Sequence, residues 1–595
     1  MASVAPAAVY SERLSERKAR LAEFESKTRA LSHWRLFAFV LAGVDIWFTI
    51  QGPLKLWTLI APLALFVALV WRQSGIERQA ECARRAIRFN EGGIARVEDR
   101  WHDRGEKGER FADPHHPYSG DLDLFGHASL FQLLSTARTR SGEARLASWL
   151  TSASPVETLR ERHVAIDELR PLIDLREQIA VLGDDLASTV DPEHLAKWGS
   201  APAHPFPASR RLIALILSIV AAVILAWWVG TGFIDLWARR ALVALVVAEG
   251  SFYLSLRKDT GRIVEEVGRP AHDLELLSQI LRTLESQRFQ SPLLARVRGA
   301  LDVEGHPASE RIAKLRRLMD TLDSRDNIII KAIDGPLLWT IQTAMAIEGW
   351  RSANGRYIAG WLDAVAEIEA LSALANYAFE HPADPFPEFS ADTAFAGDEL
   401  GHPLIPDATC VRNSVSLTAP VQLYVVSGSN MSGKSTLLRA VGVNAVLALA
   451  GAPVRAKRLR LSRLALGASI RTMDSLEEGH SRFMAEIVRL KQILDLPSPA
   501  LFLLDELLHG TNSHDRSIGA EGLIRALLAK GAIGLATTHD LSLSRVAGDL
   551  APKGINVHFE DRLDGGRLVF DYRMKPGIVT RSNALDLMRA VGLDV

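Results

Sequence analysis

Four blocks of this chain stay apolar for longer than an ordinary amphipathic element does, and they fall into two pairs. The first pair covers residues 36–50 (LFAFVLAGVDIWFTI) and 56–71 (LWTLIAPLALFVALVW), joined through Gln51-Gly52-Pro53; the second covers 212–234 and 241–256. A hydrocarbon core of roughly 30 Å takes about 20 helical residues to cross, and 212–234 reaches that length without a charge. The other three are shorter. Asp45 and Glu249 lie inside two of them, each costing about 3 kcal/mol at mid-membrane. Their many Leu, Ile, Val and Phe residues contribute about −0.3 to −0.6 kcal/mol apiece, so insertion remains favourable. The pattern predicts two transmembrane helix hairpins, and the competing arrangement is a helical hairpin buried in a soluble core. Trp47, Trp57, Trp71, Trp227 and Trp228 sit near block ends, where interfacial anchors belong. Arg35, Arg72, Arg210, Arg211, Arg257 and Lys258 flank the outer edges of both pairs. That charge bias places the N-terminus, the middle region and the C-terminus on the cytoplasmic side of a multi-pass chain in a bacterial-type inner (plasma) membrane. Lys55, Arg239 and Arg240 run against the scheme. Asp45 and Glu249 are open to three readings: a proton or ion relay, a pair facing each other between helices, or residues near the interface. The first block begins too deep in the chain, without a small-residue cleavage site, to be a removable signal peptide.

Between these blocks the patterning changes. Residues 11–31 are charged with helical periodicity, as expected of a solvated or amphipathic helix at a membrane surface. Residues 91–121 carry GG, DP and HP punctuation and read as a loop or linker. His115-His116 in that stretch admits a metal reading, but adjacent loop histidines are ordinary. Apolar residues at three- and four-residue spacing predict helices from 122 to 182 and again from 260 to about 379. Pro382, Pro385 and Pro387 then interrupt the pattern, and from about Leu404 short apolar strands alternate with helices, the texture of a parallel α/β domain. The fold class is multidomain α and α/β. Its expected segments are a charged N-terminal helix (1–35), transmembrane hairpin 1 (36–71), a linker (72–121), a helical core region (122–211), transmembrane hairpin 2 (212–256), a helical lever region (257–400) and a P-loop ATPase domain (401–595).

Composition narrows the function classes. The 595 residues carry 69 Lys+Arg against 70 Asp+Glu, a net charge of −1. Bulk basicity therefore gives no argument for nucleic-acid binding, and any such contact must come from a local patch. The two cysteines, Cys82 and Cys410, match no metal-ligand spacing and suit a reducing compartment.

The clearest chemistry lies in the α/β region. A β-rich run at 421–427 (VQLYVVS) leads into Gly428-Ser429-Asn430-Met431-Ser432-Gly433-Lys434-Ser435-Thr436, followed by a helix over 437–450. This is G-x-x-x-x-G-K-S in the strand–loop–helix context its mechanism needs. The glycines let backbone N–H groups face phosphate oxygens, and the helix N-terminus adds positive potential. Lys434 would reach the β- and γ-phosphates of ATP, and the Ser435 hydroxyl would ligate Mg²⁺. A second strand, 500–504, ends in Asp505-Glu506, which suits Mg²⁺ coordination by Asp505 and activation of the attacking water by Glu506. A third strand, 533–537, leads into Thr538-His539-Asp540, where His539 would meet the γ-phosphate or the water. Together these residues describe an ATPase.

These segments resemble one family of such enzymes, the MutS mismatch-repair ATPases. The phosphate loop reads GSNMSGKST, with the Asn430-Met431 pair typical of the family. Residues 470–487 (IRTMDSLEEGHSRFMAEI) are similar to the stretch that holds the MutS signature serine, Ser481 here, followed by Phe483, Met484 and Glu486. Residues 503–515 (LLDELLHGTNSHD) resemble the MutS Walker B region and dimer loop, with Gly510 and Thr511 in place. The LSGGQ-type signature and glutamine loop of ABC transporters are not apparent. A weaker likeness extends upstream through 124–169 and 362–406, so the resemblance covers roughly 122–595, interrupted by the second apolar pair. It implies a homodimer of ATPase heads, with Ser481 acting on the partner's nucleotide and Asp474 at the nucleotide-sensing loop.

The departures from the family are equally specific. MutS proteins begin with a mismatch-recognition domain bearing a Phe-x-Glu wedge, and here that territory holds apolar helices. Phe89-Asn90-Glu91 has the right letters but closely follows a span and has no domain around it. Leu508 and His509 stand where the family has Gly and Arg, and the long clamp helices are short or missing. Together with the apolar blocks, which predict membrane embedding, the resemblance implies a MutS-type ATPase coupled to binding of double-stranded DNA as in mismatch repair. The alternative is an ATP-driven membrane scaffold, remodelling or transport-like machine that binds no DNA. Lys457, Arg458, Arg460 and Arg463 offer a basic stretch for DNA, or an ordinary solvated loop.

Overall fold

The computed structural model describes residues 5–52, 56–187, 190–202, 206–232, 234–324, 328–429, 431–470, 482–508, 513–538, 541–564 and 567–579. The chain forms two units, one of residues 1–136, 143–177 and 370–595, the other of 137–142 and 178–369.

The first unit opens with a helical hairpin, Pro6–Ile50 against Ile60–Val97. No proline interrupts residues 7–50, so the charged segment and the first apolar block form one 45-residue helix, about 68 Å long. Cross-hairpin contacts step back from the turn in antiparallel register: Thr58 to Asp45 (2.9 Å), Arg35 to Gln73 (3.0 Å), Arg84 to Glu25 (3.2 Å) and Lys18 to Glu91 (3.4 Å). The second helix runs on to Val97, through residues expected to begin a linker. Gly92-Gly93 does not break it. A Cβ at Gly93 would stand 2.5 Å from the Tyr10 ring, so this glycine allows a close approach between the helices.

The hairpin is fixed at its foot. Tyr10 is fully buried, and its hydroxyl donates to Glu380 Oε1 at 2.9 Å. The Arg96 guanidinium donates to the same carboxylate at 2.7–3.1 Å. Glu380 ends the helix Ile358–Glu380. The Tyr10 ring meets Phe89 and Phe379 edge-on, with centroids 6.3 and 5.6 Å away. Asn90 donates to Glu177 at 2.9 Å, and Arg13 and Arg17 pair with it at 3.0 and 2.7 Å. Phe89 and Asn90, the letters of a wedge, are thus buried structural residues.

Above the foot the apolar blocks are bare. Trp34, Phe37, Phe39, Val40, Trp47 and Phe48 are exposed on one helix and Ile60, Leu63, Val67 and Trp71 on the other. A hairpin buried in a soluble core would have covered them. Among the described residues, three helices are long and apolar enough to cross a membrane: Pro6–Ile50, Trp57–Val97 and Ala208–Gly230. The fourth expected span, 241–256, is not among them. Its apolar run is shorter, contains Glu249 and leads into Arg257-Lys258 within the helix Leu236–Glu285.

The C-terminal part of the first unit is a three-layer α/β domain. Its main sheet comprises β1 (Leu423–Ser427), β2 (Ala465–Ser469), β3 (Ala500–Leu504), β4 (Ile533–Thr538), β5 (Gly554–Asp564) and β6 (Arg567–Pro576). The order is β6-β5-β1-β4-β3-β2, parallel except for the antiparallel edge β6. One face packs on Lys434–Ala450, which also meets a second sheet through Ala394–Leu400. The other face buries Val425, Phe502 and Leu504 with Ile493, Ile524 and Val546 of three further helices. Residues 101–136 and 143–177 of this unit form a collar on the domain. Leu122 packs where a Gly442 Cβ would stand (2.5 Å), Arg162 donates to Ala450 O at 2.8 Å, and Arg489 donates to Pro114 O at 2.7 Å.

The second unit is helical. Leu236–Glu285 packs with Ala308–Asp323 and Trp339–Asn354 around Leu274, Leu281, Ile312, Leu315, Ile341 and Ala344. Arg351 and Glu348 form a buried pair at 2.7 Å. Gly199 and Gly355 meet backbone to backbone, where a Cβ at Gly355 would come within 2.2 Å of Gly199 O.

Two expected outcomes follow from the packing of the first unit. Glu380→Ala leaves Arg96 buried without its counter-ion and costs about 3–5 kcal/mol, whereas Tyr10→Phe removes one hydroxyl contact and costs about 1–3 kcal/mol. Denaturant melts of the detergent-solubilised chain check this ranking, and equal effects would refute it. His163 stacks on Phe386 and Phe389 at 4.5 and 5.7 Å, and burial, with Arg160 nearby, pushes its pKa down to about 4. The unfolded imidazole takes up its proton near pH 6.5, so the unfolded state binds more protons between pH 6.5 and 4, and stability falls as pH drops through that window. His163→Phe should flatten the fall in melting temperature between pH 7 and 4. An unchanged slope would exclude His163 as a contributor.

Candidate nucleotide-binding site

β1 is buried along its whole length and lies at the centre of the sheet between β4 and β5. The loop that leaves its C-terminal end turns on two glycines, Gly428 at φ +146° and Gly433 at φ +106°. A Cβ on Gly428 would approach Ser432 Oγ to 2.9 Å and Phe559 O to 3.0 Å, so both backbone conformation and space require glycine there. Met431 also has a left-handed φ, +65°, and its side chain is 85% exposed. The helix Lys434–Ala450 begins at once and directs its first N–H groups toward the loop.

Lys434 is 4% exposed. Its ammonium donates to Gly428 O and Ser429 O, both at 2.9 Å, and stands 3.9 Å from Glu506 Oε1. Burial lowers its pKa, and Glu506 and Asp505 oppose that shift. The hydroxyls of Ser429 and Ser432 are buried in the same loop with no hydrogen-bond partner among the described residues. Unpaired buried hydroxyls are costly. Beside a buried ammonium and a helix N-terminus, they fit an anion rich in acceptor oxygens, which a nucleotide's phosphates supply.

The two carboxylates come from β3, and β4 lies between β3 and β1. Thr537 near the end of β4 spans that gap. Its hydroxyl donates to Asp505 Oδ1 and accepts the Glu506 N–H at 3.0 Å. Asp505 N donates to Ser469 O at 2.8 Å. Glu506 sits at φ +49°, a strained conformation for a non-glycine residue that is common at functional sites. Glu486 accepts the Leu508 N–H at 2.5 Å. The fold thus gathers Lys434, Asp505, Glu506 and Thr537 at the C-terminal edge of a parallel sheet, where α/β proteins place their ligands. Thr537 is the residue the sequence reading passed over. Its only signal was a hydroxyl at a strand end, and its role depends on a strand order that sequence does not display.

Ser435 is half-buried and Thr436 exposed in the first turn after the loop. Asn430, Asp474, Ser481 and His539 lie outside the described residues, as do His509, Gly510 and Thr511. The collar meets the site region through Asp121, which accepts the Ile470 N–H at 2.7 Å while its carbonyl accepts Arg439 Nε at 3.1 Å. His402 is buried, with burial and Arg439 pushing its pKa down to about 4. Its Nδ1 accepts the Leu404 N–H at 3.2 Å, and Asn444 ties the neighbouring Gly401 carbonyl to the phosphate-loop helix at 2.8 Å. His116, of the pair with a metal reading, accepts the Ser119 N–H at Nδ1 (3.2 Å), and its Nε2 lies 3.1 Å from Thr151 O.

The basic stretch lies at the surface, where Lys457, Arg458 and Arg460 are exposed. Arg458–Leu461 is a strand of the second sheet. Lys457 pairs with Glu399 (3.4 Å) and Arg458 with Glu388 (2.8 Å), while Arg463 donates to Ala153 O and Ser154 O at 3.0 and 3.2 Å.

Comparison with known proteins agrees with this geometry. Residues 424–594 match the family model for MutS domain V. The DNA mismatch repair protein MutS of Natronomonas pharaonis is 32% identical over 282 residues, 46% of this chain and 32% of that protein. The endonuclease MutS2 of Thermus thermophilus is 34% identical over 194 residues, 32% of this chain and 25% of that protein. The DNA mismatch repair protein MutS of Methanosarcina mazei is 27% identical over 281 residues, 46% of this chain and 31% of that protein. The matched segments thus span at most about a third of the length of these relatives. On the strength of that match, the C-terminal domain of this chain belongs to the MutS domain V family.

Proposed function

We propose that this protein is a membrane-embedded ATPase of the MutS type, which binds and hydrolyses ATP between two dimerised heads and couples that cycle to double-stranded DNA. The observation that carries the ATP reading is the loop itself, with Lys434 folded onto the Gly428 and Ser429 carbonyls and the Ser429 and Ser432 hydroxyls without partners among the described residues. Residues 428–436, with Asn430 and Met431 among them, cradle the phosphates. Lys434 exchanges two carbonyl oxygens for phosphate oxygens over a short swing. Ser435 and Asp505 would hold Mg²⁺, which would supply neutralisation of phosphate charge. Thr537 fixes the rotamer of Asp505 and the backbone of Glu506, and Glu506 takes the proton of the attacking water. His539 contacts the γ-phosphate, Asp474 senses the nucleotide, and Ser481 completes the partner's site.

Membrane embedding is supported by the bare apolar surfaces of both hairpins. Val220, Val223 and Trp227 of Ala208–Gly230, and Val243, Val246 and Val247 of the helix it pairs with, are exposed. Lipid removes the cost of that exposure. The second reading, an ATP-driven scaffold or transport-like machine without DNA, is favoured by one observation. The basic stretch that would have served DNA is engaged within the chain at Lys457, Arg458 and Arg463.

Lys434→Ala should weaken nucleotide affinity by more than about tenfold. Glu506→Gln should slow turnover by about 10²–10⁴-fold while ATP remains bound. Nucleotide binding and phosphate release by the detergent-purified chain check both, and normal hydrolysis by Glu506→Gln would remove it from the chemistry. Binding of matched, mismatched and branched duplexes at two salt concentrations, with and without ATP, separates the two readings. ATP-sensitive binding that weakens with salt is the outcome expected of the first. Absence of binding beside intact hydrolysis would leave the second.

A further inference from the structure

In the second unit, the helix Ile328–Leu337 has a sequence, IIIKAIDGPL, unlike its neighbours. The chain before it, Ala308–Asp323, and after it, Trp339–Asn354, form antiparallel helices of the packed bundle. Trp339 Nε1 donates to Thr321 O at 2.9 Å, and Trp350 Nε1 donates to Arg311 O at 2.7 Å. The chain therefore leaves the bundle and returns to it at one level, and the ten-residue helix between, about 15 Å long, packs chiefly against Ala208–Gly230.

That level can be placed along the apolar helix Ala208–Gly230. Arg211 donates to Met345 O at 3.0 Å, and Ser218 Oγ donates to Leu337 O at 2.8 Å. Ser218 is six residues beyond Leu212, where the apolar run begins, which is about 9 Å along the helix axis. Interfacial helices bury their apolar face about 5–10 Å into the boundary between headgroups and acyl chains.

The break after this helix has the chemistry of a site short of water. Leu338 takes a left-handed φ of +47°, which interrupts the backbone ladder and frees polar groups. Protein side chains take them up. The Leu337 carbonyl accepts both Ser218 Oγ (2.8 Å) and Gln342 Nε2 (2.7 Å), and Asp334 accepts the N–H and the hydroxyl of Thr340 at 2.9 and 3.0 Å. Irregular backbone at membrane depth is tolerated when protein satisfies it in this way.

We infer that residues 328–339 form an interfacial membrane helix, seated against Ala208–Gly230 at the boundary between headgroups and acyl chains, with the lipid bilayer as its partner. This rests on the membrane reading of the second hairpin. Lys331, which is exposed, keeps its ammonium among the headgroups.

The test uses the full chain with Cys82→Ser and Cys410→Ser, reconstituted in nanodiscs of zwitterionic and anionic phospholipid. Single nitroxide-labelled cysteines are placed in turn at 328–333, at Val223 within the span and at the exposed Arg298. Accessibility to oxygen relative to a water-soluble nickel chelate is read at each. The expected result is an oxygen-to-nickel ratio several-fold above Arg298 at Val223, and also within 328–333 with a helical period. A lipid-like Val223 with water-like values throughout 328–333 would overturn the inference and leave the span intact. A water-like Val223 would overturn both. Should the cysteine-free chain not fold, photo-crosslinking residues at the same positions in the native-cysteine chain give a second readout. Lipid adducts within 328–333 support the inference, and adducts at Val223 alone defeat it.

Discussion

Glu380 is the carboxylate on which the first unit is assembled. It is buried and receives the Arg96 guanidinium from one helix of the hairpin and the Tyr10 hydroxyl from the other. An ion pair taken out of water repays its desolvation only when its remaining hydrogen bonds are made, and here Tyr10 makes one of them. One turn earlier, Tyr377 donates to Asp384 at 3.3 Å. Asp384 in turn pairs with Arg455 at 3.4 Å, and the Arg455 N–H donates to Asn444 Oδ1 on the phosphate-loop helix at 2.7 Å. Residues 377–384 are thus held from two sides, by the foot of the hairpin and by the helix that begins at Lys434. Burial makes each link intolerant of an unpaired state, so the hairpin and the nucleotide domain are joined by directional contacts in addition to apolar packing.

How much of this was legible in the sequence differs by level. Three strands of the α/β domain, β1, β3 and β4, are plain because each is a short apolar run, and 500–504 has its expected limits; β2 is a weak Ala-Gly run and β5 and β6 are long and charged, so they carry no such signal. The order of the strands in the sheet is not plain, since pairing is a tertiary property. The insertion of β4 between β1 and β3 therefore makes Thr537 important with no local sign of it. Glycine misled in one place. Gly92-Gly93 reads as punctuation, yet Gly93 serves the Tyr10 ring inside a continuous helix. Residues 101–121 hold the expected loops, but those loops are packed against the α/β domain through Asp121 and Leu122. The basic run at 457–463 looked available to a ligand because its acidic partners, Glu388 and Glu399, lie far away in sequence.

The two apolar hairpins meet their packed units differently. In the second unit, Arg211 contacts the bundle at the very edge of the apolar run, so on the membrane reading that bundle rests on the bilayer surface. In the first unit, residues 11–33 and 72–97 intervene between the apolar part and the foot, and they are polar and paired across the hairpin by Glu25–Arg84 and Lys18–Glu91. From Tyr10 to Trp34 that stalk measures about 36 Å. A two-helix stalk fixed at its foot by a buried ion pair behaves as a stiff rod. A tilt of about 5° at the foot then moves the apolar end by about 3 Å over that length. Movements of that size are ordinary for packed helices that respond to a bound nucleotide. The foot is joined to the helix that begins at Lys434 through Tyr377, Asp384 and Arg455, so the geometry provides leverage without needing any large rearrangement near the loop 428–433. On the proposed reading, a displacement no larger than a side-chain exchange around Lys434 would therefore be enough to move the apolar end of the hairpin.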